Sequence, residues 1–195
     1  MSSVLAFEET PETARGRLLY EMLLAVHAGI RGDLARVERL ASAVADGLSV
    51  DGLNDELGAL RGSSMLWQFQ ISCLRYCRFV HSHHHAEDTD FFGELEETNP
   101  ALGPVVERLR AEHRAVSDHL DAVEAAARAL SEDDGPEARR AVADALEALA
   151  GHLLAHLEYE ERSVAATTRR LRELPFSNQL PEIAESGLRT KEDQQ

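Results

Sequence analysis

Apolar side chains return every three or four residues through most of this chain. After Pro11, the residues Leu19, Leu23, Val26, Ile30, Leu34 and Val37 keep that spacing, which is the repeat of one helix face. It predicts an amphipathic helix running to about Ala45, with His27 on its apolar stripe near the midpoint. Gly47, Gly52 and alternating Asp residues then read as a loop from Asp46 to Asn54, because glycine and aspartate favour turns over helix interiors. Asn54 can cap a new helix, but Gly62-Ser63-Ser64 interrupts it, so one long element or two short ones fit equally. Beyond that point Leu66, Phe69, Cys73, Tyr76, Val80, Glu87 and Phe91 share an arc at 100° per residue. His83 and His84 stand at its edges and His85 outside it.

Thr98-Asn99-Pro100 stops that helix, since the residue before proline disfavours helical backbone. Gly103-Pro104 opens a third, marked by Val105, Leu109, Val116, Leu120 and Val123, with His113 on the stripe. It ends before Ser131 to Gly135, and Pro136 opens a fourth. There Val142, Leu146, Leu149, Leu153, His156, Glu160 and Val164 share a face, Arg169, Arg170 and Arg172 suit the C-terminal dipole, and Pro175 ends the helix. The pattern predicts an all-α, up-down-up-down four-helix bundle over residues 11–174, flanked by tails at 1–10 and 175–195. Antiparallel packing would bring His27, His83 with Glu87, His113, and His156 with Glu160 to one layer.

Composition narrows the chemistry. The chain has 195 residues, 44% of them hydrophobic, and a net charge of -15, which suits one well-buried domain and repels phosphate backbones, so no nucleic-acid partner is expected. No segment reads as a membrane span or a secretory leader, which predicts a cytoplasmic protein that does not meet a membrane. Cys73 and Cys77 lie four apart on one helix and read as free thiols.

His83 with Glu87 and His156 with Glu160 each place an imidazole and a carboxylate on one helix face. A single His27 or His113 on an apolar stripe is more often a satisfied core histidine than a ligand. Together, however, these buried polar groups would oppose folding unless they held a cation. Four imidazoles and two carboxylates suit two adjacent transition-metal ions, and the share of oxygen favours iron or manganese over structural zinc. His84 is a seventh ligand, an outer hydrogen-bond donor or a half-exposed polar residue. Asp88 and Glu161 read chiefly as solvated, with an outer hydrogen bond as the lesser reading, His152 as helix lining ahead of a ligand-orienting role, and His119 as surface. Tyr76 and Tyr159 read as packing. His81, His85, Cys73 and Cys77 form a column that winds from core to solvent, and any metal there reads as adventitious.

The run His83-His84-His85-Ala86-Glu87-Asp88 resembles the His-His-x-x-Glu-Asp signature of the hemerythrin-like family of HHE cation-binding domains. His156-Leu157-Glu158-Tyr159-Glu160-Glu161 resembles its His-Leu-x-x-Glu-Glu signature. With His27 and Glu112-His113-Arg114, the resemblance covers roughly residues 12 to 172. It implies a non-haem centre of two iron ions, manganese being possible, held by His27, His83, Glu87, His113, His156 and Glu160, with both carboxylates as bridges. Two departures stand out: Ser117 occupies the position where oxygen-carrying hemerythrins have a second helix-three histidine, and Gly93 stands where many relatives have proline.

The expected partner is therefore a small diatomic or peroxide ligand, with oxygen binding or sensing as the leading function. The alternatives are a di-iron oxidoreductase acting on hydrogen peroxide or nitric oxide, or an iron-responsive interaction module. Oligomeric state is not legible in the sequence.

Overall fold

The computed structural model describes residues 11–45 and 65–172. The predicted loop at 46–54, the cap at Asn54, the break at Gly62-Ser63-Ser64, Pro175 and both tails lie outside the described residues. Helix α1 spans Ala14–Ala45 and α2 spans Met65–Ala86. A five-residue π-helical turn, Glu87–Phe91, joins α2 to α3, Phe92–Thr98. A 3-10 turn at Pro100–Leu102 leads into α4, Gly103–Glu132, and α5 spans Pro136–Thr168. The four long helices pack as the hydrophobic spacing predicts, α1 against α2 and α5, and α4 against α2 and α5. No strand occurs among the described residues.

Each boundary has a local cause. Asn99 leaves helical backbone, and its side chain accepts from the Ala101 amide to start the 3-10 turn. Pro104 and Pro136 occupy first-turn positions, where a missing N–H costs nothing. Helix α5 ends at Thr168, with Arg169 and Arg170 in the turn beyond it.

The π turn changes the phase of the apolar stripe. Phe92 donates its amide to the Glu87 carbonyl, a five-residue step, so one residue more than an α-turn fits into the rotation. Phe91 and Phe92 are both buried as a result, and Leu95 follows them into the core.

The two ends of the bundle's chain path meet. Thr13 donates its amide to the Arg169 carbonyl at 2.9 Å and its hydroxyl to the Leu171 carbonyl at 2.5 Å. Gly16 sits so close to this segment that a Cβ would overlap the Arg169 carbonyl. The Arg169 guanidinium lies 4.4 Å over the Tyr20 ring.

The interior divides into two apolar clusters. One holds Ile30, Phe69, Val80, Val116, Leu153 and their neighbours; the other holds Leu23, Phe91, Phe92, Leu109 and Val164. Along every long helix the change from one cluster to the other falls at a polar position: His27 on α1, His83 and His84 on α2, His113 on α4, and His156 with Glu160 on α5. The polar layer is thus held between two hydrophobic plugs, and none of the described helices is long and apolar enough to cross a membrane.

Candidate metal centre

Five imidazoles and two carboxylates fill that layer. His27, His84, Glu87, His113, His156 and Glu160 are buried, and the His83 side chain is 11% exposed. His27 Nε2 stands 3.1 Å from His83 Nε2, 3.8 Å from Glu87 Oε1 and 3.5 Å from Glu160 Oε2. His83 Nε2 lies 3.2 Å from Glu87 Oε1. On the other side, His113 Nε2 is 3.6 Å from Glu87 Oε2, and His156 Nε2 is 3.6 Å from Glu160 Oε2. The i, i+4 pairs at His83/Glu87 and His156/Glu160 meet as helical spacing requires.

His84 turns inward with them. Its ring stacks on His113, with centroids 4.0 Å apart and planes 9° from parallel, and meets His156 edge-on at 5.1 Å. Ser117, which departs from the family pattern, instead approaches His81, with 3.4 Å between Ser117 Oγ and His81 Nδ1.

Most of the donor atoms are left without hydrogen-bond partners. His84 Nε2, His113 Nε2, His156 Nε2 and all four carboxylate oxygens of Glu87 and Glu160 are buried and unpaired. Buried polar atoms are ordinarily satisfied, so a cluster of orphans aimed at common points has the chemistry of a cation site. Three groups have ligand atoms within 4.8 Å of one another: His84, His113 and His156; His27, His83 and Glu87; and Glu87, His113 and Glu160. The second and third share Glu87, and the first and third share His113.

The electrostatics agree. Burial lowers His27 to about 4 and His83 to about 3, and it also lowers His84, His113 and His156. Neutral imidazoles present lone pairs, as metal ligation requires. Burial raises Glu160 to about 8, and burial together with the Glu160 charge lifts Glu87 well above the ordinary carboxylate range. Two carboxylates so placed favour either a shared proton or a cation between them.

Three acids on the rim turn toward the layer, Asp88 and Glu161 against the reading of both as chiefly solvated. His27 Nδ1 donates to Glu161 Oε1 at 3.0 Å, His113 Nδ1 to Asp88 Oδ1 at 3.0 Å, and His156 Nδ1 to Glu112 Oε2 at 3.1 Å. Such bonds fix the tautomer that leaves Nε2 free and orient the ring. Arg31 anchors Glu161 at 2.7 Å, and Arg108 anchors Glu112 at 2.7 Å. Burial alone would raise Glu161, but the bonds from Arg31 and His27 hold its carboxyl below the ordinary value.

Other residues fall outside the layer. Cys73 and Cys77 are free and wholly buried in the first apolar cluster, whereas His81 is half-buried and His85 exposed, so the predicted column does not converge. Tyr76 is buried in that same cluster, and Tyr159 packs under the Arg108 guanidinium at 3.6 Å. His119 is half-buried and His152 exposed, their rings 4.3 Å apart.

A small cavity of about 100 Å³ adjoins the layer between α1 and α2. Its walls are Leu19, Met22, Leu23, Val26, Ala86 and Phe91, with His83 and Glu87 at the polar end.

A helical bundle with an inward-facing set of imidazoles and carboxylates defines a cation-binding protein of the all-α class. Residues 18–168 match the family model of the hemerythrin HHE cation binding domain, and the chain belongs to that family. No curated protein and no solved structure matches it.

Proposed function

We propose that the chain is a non-haem di-iron protein that binds or senses oxygen, or a related small ligand, in the bundle core. In this reading His27, His83, His84, Glu87, His113, His156 and Glu160 would hold the metal. The fit rests on seven convergent donors, none of them thiolate, a mixture that suits iron and equally manganese. A reduced pair of such ions supplies electrons to a small oxidising ligand. The chain's own part is to hold neutral imidazoles in fixed tautomers through Glu161, Asp88 and Glu112, and to keep bulk water out with two apolar clusters.

The observation that carries the choice of ligand is the cavity between α1 and α2. It is large enough for a diatomic molecule, nearly all apolar, and closed at its inner end by His83 and Glu87. Apolar walls admit neutral small molecules and offer nothing to an anion.

The test is anaerobic reconstitution followed by metal analysis and optical spectroscopy. The expected result is about two irons per chain and an oxygen-dependent spectrum that reverses under vacuum. Steady gas evolution from peroxide would instead assign the oxidoreductase, and a protein carrying only zinc would end the reading.

A further inference from the structure

Outside the core layer one other pair of imidazoles meets across a helix interface. His119 projects from α4 and His152 from α5, and their rings lie 4.3 Å apart at 31°. The geometry points to a second, solvent-facing site in which His119 and His152 together hold one divalent transition-metal ion.

The two rings come from different helices, and neither is a member of the clusters in the core. Helices α4 and α5 form the most extensively packed pair in the bundle, so the backbone positions that carry the rings are fixed. Little ordering therefore remains to oppose chelation.

There is also room for the rest of a coordination shell. His152 lines an open groove of about 500 Å³ between α4 and α5, whose walls include Ala115, Ala148, Gly151 and Ala155. These small side chains leave space for metal-bound waters beside the imidazole. Glu112 and Glu147 line the same groove, and the positive Arg108 there is already engaged by Glu112 at 2.7 Å. The field in the groove therefore favours a cation.

The donor type sets the class of ion. Imidazole suits zinc, copper and nickel, whereas magnesium and calcium seek oxygen ligands. The site is independent of which metal occupies the core.

The experiment is calorimetric titration of zinc chloride into the full chain with its core metal in place, comparing the unaltered protein with His119→Ala, His152→Ala and His81→Ala. One additional zinc equivalent is expected in the unaltered protein and in His81→Ala, and its loss in the other two variants. Circular dichroism confirms that these variants are folded, and excess magnesium should not displace the zinc. An extra equivalent retained by either His119→Ala or His152→Ala, its loss in His81→Ala, displacement by magnesium, or no extra equivalent in the unaltered protein would each overturn the proposal.

Discussion

His84 stacks on His113 with ring centroids 4.0 Å apart and planes 9° from parallel, which places a third imidazole beside His113 and His156. Ser117 offers no imidazole on α4, whereas His84 brings one from α2. Replacing His84 with Ala should therefore remove one ligand from the three-imidazole group while leaving His27, His83 and Glu87 intact. Metal content is expected to fall from about two ions per chain toward one. Elemental analysis of protein reconstituted in parallel with the unaltered chain reads this directly; full occupancy would show that His84 is not a ligand.

In the proposed centre Glu161 acts at one remove from the metal, through the 3.0 Å bond from His27 Nδ1. Glu161→Gln keeps the shape but loses the charge that holds His27 in its tautomer, and loss of such a partner costs roughly 10–100-fold in metal affinity. Competition with a chromophoric chelator measures the change. Glu158→Gln is the control, because Glu158 is exposed and pairs with Arg162 at 3.2 Å along the same helix. Equal effects from the two variants would refute the outer role of Glu161.

Stability of chelator-treated protein should peak near pH 6.5. Burial lowers His27 to about 4 and His83 to about 3 against an ordinary value of 6.5. The unfolded chain thus binds those protons first, and stability falls as pH drops below 6.5. Glu160 acts in the opposite sense: raised to about 8 from 4.5 by burial, it contributes stability that is fully present below 4.5 and is lost as pH rises through 8. Between 4.5 and 6.5 the five lowered imidazoles outweigh the two raised carboxylates. Thermal unfolding followed by circular dichroism across this range provides the check, and a flat profile would contradict it.

Ala86 lines the apolar cavity without belonging to the donor set. Ala86→Leu should fill much of its roughly 100 Å³ and slow ligand association severalfold while metal content stays unchanged. Stopped-flow mixing of the reduced protein with oxygen measures the rate. An unaltered rate would move the entry path elsewhere.

The layer itself was readable because each site histidine lies on an apolar stripe at similar depth in its helix, and only a polar group with a partner is retained there. The outer carboxylates were not. Asp88, Glu161 and Glu112 each neighbour a site residue in sequence, about 100° around the helix from it, so periodicity assigns them to solvent. They reach inward because a histidine ring is long enough to carry Nδ1 to the edge of the bundle. Their adjacency to Glu87, Glu160 and His113 was the available signal. His84 stood at the arc's edge, and its inward turn depends on the positions of His113 and His156 on other helices.

The π turn at Glu87–Phe91 had no sequence signature, since neither proline nor glycine marks it. Its consequence is one of timing along the chain. Ordinary α-helical bonds through the same residues would swing Phe92 and Leu95 about 100° away from the interior they now fill, whereas deleting a single residue there, such as Thr89, would let those bonds form with both side chains still facing inward. The less favourable turn works like a leap day, keeping two stretches of helix in step with a core that neither could match alone.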